Sequence, residues 1–163
     1  MDAVSYEVRV PAGVDTGSTL RLTGRGAAGP RGGPSGDLYV HLRVADHAHL
    51  QREGETLVDE LSITMLQAVL GVRINYETLD GPEELAIPPG TQPGEVLRLR
   101  GRGVPRLEGR ARGDLLIQLA VEIPSKLSKE DEAALREVAA RRDEEVADPG
   151  DRGLLGKLRS AFQ

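Results

Sequence analysis

Pro11-Ala-Gly-Val-Asp-Thr-Gly-Ser-Thr-Leu-Arg-Leu-Thr-Gly-Arg-Gly26 returns 77 residues later as Pro88-Pro-Gly-Thr-Gln-Pro-Gly-Glu-Val-Leu-Arg-Leu-Arg-Gly-Arg-Gly103. Extending the comparison to residues 8–44 and 85–121 needs no gap and gives 15 identities in 37 positions. A bias towards Gly and Leu would produce a few of these. The chain is internally duplicated, and the fold is read from the shared unit.

Each copy follows one order. Val8 and Val10, or Leu85 and Ile87, mark a short alternating strand that runs into proline and a glycine turn. A second strand carries Leu20 and Leu22 on one face, matched by Leu97 and Leu99. A glycine-rich loop then leads to a Gly-Asp pair that opens a third strand. There Leu38, Val40, Leu42 and Val44 alternate with exposed or polar positions, as do Leu115, Ile117, Leu119 and Val121. Period-two alternation puts such side chains on one sheet face.

Between the copies, 57–64 reads as a strand, 65–70 as one or two helical turns, and 72–78 as a second strand with Val72, Ile74 and Tyr76 inward. Asp80-Gly81 predicts a hairpin turn before a strand over 85–87. The first copy has seven residues where the second has this upstream hairpin, so by symmetry it is expected to lack the front half of its domain. After Pro124, Ser128 with Asp131 predicts a near capping box, and Leu135, Val138 and Ala139 give the helix an apolar face that Asp148-Pro149-Gly150 breaks. The fold predicted is mostly β: two tandem small β-sandwich domains, the first incomplete, with a short C-terminal helical region. The boundaries are 1–45, 46–124 and 125–163.

Composition narrows the function. The net charge of −5, the absence of Cys and the presence of three Tyr, one Phe and no Trp weigh against several classes. Without cysteine there is neither a disulfide framework nor a thiolate zinc site. Scarce aromatics remove the stacking platforms that single-stranded nucleic-acid binders use. No run of eighteen apolar residues is present, which predicts no membrane span, and the first residues lack a signal-peptide layout, which points to the cytoplasm.

Individual motifs are weighed the same way. Gly24-Arg-Gly-Ala-Ala-Gly29 matches a dinucleotide fingerprint, but Gly29-Pro30-Arg31-Gly32-Gly33-Pro34 follows where a helix would have to start. A hairpin loop is expected instead. His47-Ala-His49 supplies two imidazoles without a third ligand, so surface histidines are expected and no metal. His41 reads as a solvated side chain. Six arginines between Arg98 and Arg112 alternate in part with leucine and read as the wet face of a strand, so no nucleic-acid partner is expected. Neither a Ser/His/Asp nor a Cys/His constellation presents itself, and the expectation is a non-enzyme that needs no cofactor.

The stretches Pro11 to Gly17, Leu20-Arg-Leu22, Gly32 to Val40, His47 to Gly54, Ala68-Val-Leu-Gly71, Leu79-Asp-Gly81, Ile87 to Gly94, Gly101 to Pro105 and Gly113-Asp-Leu115 resemble the region after the zinc finger in bacterial DnaJ-type co-chaperones. The resemblance runs from residue 6 to about 140, in order and at family spacing, with a weaker match at 153–162. It implies tandem β-domains, a shallow apolar groove in the first for extended segments of unfolded client proteins, and a C-terminal dimerisation region. Leu50 falls where the family usually has phenylalanine beside that groove, and Leu20, Leu22, Val40 and Leu42 lie on strands that would line or support it. Leu154, Leu155, Leu158 and Phe162, at helical spacing, are the expected dimerisation residues. The J-domain with its His-Pro-Asp signature and the cysteine-rich module are not in this sequence, so a DnaK-type partner is expected only where a J-domain is supplied elsewhere. Client holding by a homodimer is the leading expectation. The rival is an assembly module that binds no client.

Overall fold

The structure is a computed structural model that describes residues 5–107, 109 and 111–148. The chain divides into two compact units, 1–122 and 123–163.

The first unit is built on strands. β1 (Thr19–Leu22) pairs antiparallel with β2 (Leu38–His41) as a two-stranded ribbon. β3 (Gln51–Glu53), β4 (Thr56–Thr64), β7 (Val96–Leu99) and β8 (Leu115–Glu122) form one sheet in the order β3-β4-β8-β7. The central β4–β8 pair is parallel and the flanking pairs are antiparallel. The hairpin of β5 (Val72–Thr78) and β6 (Gly81–Ile87) makes a further two-stranded layer.

One apolar cluster joins these layers. Leu57 and Ile63 of β4, Leu115, Ile117 and Leu119 of β8, and Tyr76, Leu85 and Ile87 of the hairpin belong to it. The three β8 residues have no solvent exposure at all. Each fully buried leucine or isoleucine stabilises by about 1.5–3 kcal/mol, so this small sandwich carries the hydrophobic energy of the unit. Mostly-β architecture, with the alternation read from sequence, is what the chain adopts.

Local signals set the joints. α1 (Met65–Leu70) starts at a full capping box: Gln67 N–H donates to Thr64 Oγ1 at 3.2 Å and Thr64 N–H donates to Gln67 Oε1 at 2.9 Å. It ends at Gly71, whose φ of 79° suits glycine. In the second unit, α2 (Lys129–Arg141) begins where Asp131 N–H donates to Ser128 Oγ at 3.0 Å. The Asp131 carboxylate accepts from the Ser128 hydroxyl at 2.7 Å rather than from its backbone, so half of the expected box forms.

Four expectations are corrected. The strand at Val8 and Val10 is not formed, because residues 5–45 contain no counterpart of β5 for it to pair with. β2 stops at His41, short of Leu42 and Val44, because it is laddered on one edge whereas β8 is laddered on both. The hairpin turn centres on Leu79-Asp80, with Thr78 paired to Gly81, so Gly81 opens β6 four residues before Leu85. α2 ends at Arg141, well before Pro149: Asp143 takes a φ of 57° and Glu144 N–H turns back to Ala139 O at 3.0 Å, closing the helix from within.

The duplication holds bond by bond at the same 77-residue offset. Arg21 Nε donates to Asp37 Oδ2 and Arg98 Nε to Asp114 Oδ2, both at 2.6 Å. Gly24 N–H meets the other Asp37 oxygen at 2.9 Å, and Gly101 N–H that of Asp114 at 2.7 Å. Gly26 N–H reaches Gly36 O at 2.8 Å as Gly103 N–H reaches Gly113 O at 2.9 Å. The Gly-Asp pair is thus a clamp that closes the glycine-rich loop of each copy. The Gly24–Gly29 stretch belongs to that hairpin loop.

Candidate functional site

Equivalent residues have different fates in the two copies. Leu115, Ile117 and Leu119 are sealed between β4, β7 and the β5–β6 layer, whereas Leu38, Val40 and Leu42 are half-buried. No described residue between 5 and 45 is fully buried. On the ribbon, Leu20 lies opposite Val40 and Leu22 opposite Leu38, so these side chains and Leu42 share one face. The opposite face carries Arg21, Tyr39 and His41, with His41 Nδ1 hydrogen-bonded to Thr19 Oγ1 at 2.9 Å. His41 therefore has a cross-strand partner, not just solvent.

Leu50 lies elsewhere. It is 6% exposed and belongs to the sandwich core with Leu57 and Val104. It also borders a cleft of about 720 Å³ between the Asp15–Thr16 turn, residues 44–49, Gln51 and Arg52 of β3, and Leu57, Leu79 and Val104. Leu20, Leu22, Val40 and Leu42 are not in its lining. The five peptide-binding candidates thus fall into two places: four on the ribbon face and one under the cleft floor. Leu154, Leu155, Leu158 and Phe162 lie outside the described residues.

Behind His49, which borders the cleft, lies a buried polar pair that sequence reasoning missed. Asp59, in the middle of β4, is buried and accepts a hydrogen bond from the Tyr76 hydroxyl. His49 Nδ1 lies 3.0 Å from the same Asp59 oxygen, and its ring meets that of His47 edge-on at 4.8 Å. Burial first, and then the hydrogen bond and charge of Asp59, push the Tyr76 phenol well above its ordinary pKa. The signal was present: in Leu57-Val-Asp59-Glu-Leu61-Ser-Ile63, alternation sends an aspartate inward between leucines. A buried carboxylate demands partners. Among the described residues, no group of three or more His, Cys, Asp or Glu is placed to hold a metal ion.

Four of the six arginines pair with carboxylates. Arg98 pairs with Asp114, Arg102 with Glu83 at 2.8 Å, Arg106 with Glu55 at 2.7 Å, and Arg112 with both oxygens of Asp80 at 2.9 Å. These pairs tie loops together and leave less charge for phosphates. Among the described residues no helix is long and apolar enough to cross a membrane.

An internally duplicated, mostly-β protein in which β8 of one copy is sealed and β2 of the other half-covered is the class these observations define. The chain belongs to the DnaJ C-terminal domain family, whose profile, described as "DnaJ C terminal domain", matches residues 2–124. It is similar to "Chaperone protein DnaJ" of Thermosynechococcus vestitus, 50% identical over 153 residues that cover 93% of this chain and 41% of that protein. "Chaperone protein DnaJ 2" of Streptomyces avermitilis is 45% identical over 159 residues, covering 95% and 42%. "Chaperone protein DnaJ" of Syntrophobacter fumaroxidans is 52% identical over 133 residues, covering 82% and 35%. The chain thus spans about two fifths of the length of the first two relatives.

Proposed function

We propose that this chain binds extended apolar segments of unfolded proteins and so acts as a chaperone module, in keeping with the names of its relatives. The observation that carries the reading is the ribbon of β1 and β2. Its β2 row, Leu38, Val40 and Leu42, is half-covered where the equivalent β8 row is fully sealed, while Leu20 and Leu22 of β1 are half-buried like Leu97 and Leu99 of β7. A client that laid one or two apolar side chains on this row would gain about 1.5–3 kcal/mol for each. Ordering costs take back part of that gain, which leaves binding of roughly micromolar to millimolar strength. Weak capture suits a holder that must release. β2 is paired on one edge only, and an extended client backbone can add there as a further strand.

The test is suppression of aggregation of a chemically denatured client by the full chain. Wild type is expected to delay aggregation, and the double substitution Leu20→Ser with Val40→Ser to abolish the delay without lowering the main melting transition. Equal protection by the double variant would refute the ribbon as the gripping surface.

A further inference from the structure

Arg52 is the one described residue whose side chain hydrogen-bonds across the junction between the two copies. Its Nη1 donates to Val14 O at 2.6 Å and its Nη2 to Gly13 O at 2.9 Å, while its Nε donates to Gly54 O at 2.8 Å. Asp15 adds a carboxylate 3.5 Å from Nε. The guanidinium therefore holds two carbonyls of the first copy and that of Gly54, in the turn between β3 and β4, in a single planar fork. The other hydrogen bonds found for the described residues 5–45 stay within that segment, and beyond Val44 the connector bends at Ala48 and His49 without joining a ladder.

The loop that Arg52 grips is also seated sterically. A Cβ on Gly13 would lie 2.1 Å from Pro105 O, so the loop lies flat against the second copy. The repeat supplies its own control. Gly90, the counterpart of Gly13, has nearly the same backbone (φ of 84° against 88°), yet a Cβ there would meet nothing within 4 Å. Both positions need glycine for their conformation, but only Gly13 needs it for contact.

We infer that Arg52 is a positioning residue, a clasp that fixes the first copy against the second and so sets the width of the cleft beside Leu50. Asp15, Thr16 and Arg52 all border that cleft, on opposite sides of the junction. Opening the fork would swing the Asp15–Thr16 wall away. The consequence for clients rests on the function proposed above; the geometric role does not.

The experiment uses the full chain, which has no cysteine, with spin labels on Thr23→Cys in the first copy and Asn75→Cys on β5. Pulsed dipolar spectroscopy is expected to give one narrow distance distribution for wild-type Arg52. It should be broad for Arg52→Met, which keeps an unbranched apolar stem and loses the donors, and intermediate for Arg52→Lys, which restores a single charged nitrogen but not the fork. Gly13→Ala should broaden it and Gly90→Ala should not. An unchanged distribution in both Arg52→Met and Gly13→Ala would overturn the clasp. In parallel, a short dye-labelled peptide with leucine at alternate positions should bind Arg52→Met about fivefold to tenfold more weakly, because preorganisation is lost. A broadened distribution with unchanged peptide affinity would uphold the clasp and show that the ribbon grips its client whatever the width of the cleft.

Discussion

At the residue scale, the sandwich rests on a few buried groups whose removal has separable effects. Leu50 is core, so Leu50→Ala should cost about 2–5 kcal/mol in urea denaturation, as large-to-small substitutions in packed interiors do. A loss under 1 kcal/mol would mean that the side chain is not packed as found. Tyr76→Phe removes the donor to buried Asp59 and should cost about 1–3 kcal/mol. The same tyrosine predicts an alkaline limb of stability. Its folded pKa is raised, so its contribution is intact below the ordinary phenol pKa of about 10 and is lost as pH climbs beyond it, where the unfolded chain ionises first. Tyr76→Phe should flatten that decline relative to wild type. Identical alkaline profiles would contradict the buried Asp59–Tyr76 pair. Leu50 shows the limit of reading by resemblance: the resemblance put it beside an apolar groove, whereas the fold packs it into the core with Leu57 and Val104, which arrive from other elements.

At the scale of elements, two ribbons with the same clamp differ in what surrounds them. Asp37 and Asp114 are both held below the ordinary carboxylate range, first by a glycine N–H and then by an arginine. Such groups contribute stability above the unfolded carboxylate pKa, and that contribution is lost as pH falls through the lower folded value. Asp114→Asn should therefore lower the main melting transition at neutral pH and weaken its acid dependence, because β8 is the centre of the sheet. Asp37→Asn should speed amide exchange in β1 and β2 and leave the main transition in place. Equal shifts in melting would contradict the separation of the two copies. The 77-residue offset, the alternation in β4, β5 and β8, and the Ser128 cap were all legible, because each is a local pattern with a local cause. Less legible were the ends of elements. Whether Val8, Val10 or Leu42 joins a ladder depends on a partner strand, and no property of those residues supplies one.

At the scale of the molecule, one duplicated unit has two different surroundings. The second copy has its layers filled and supplies rigidity, while the first presents a ribbon whose leucines and valine are half-covered. Arg52 joins the two. Sequence could locate the ribbon but not its exposure, since Leu38 and Leu115 read identically until β4 is seen lying against one of them. The most direct check is site-resolved hydrogen exchange of the full chain, with and without a saturating apolar peptide. The account predicts that amides of 19–22 and 38–42 exchange faster than those of 96–99 and 115–122 in the free chain, and that peptide slows the first set and leaves the second unchanged. Protection appearing in β7 and β8 instead, or nowhere, would contradict it.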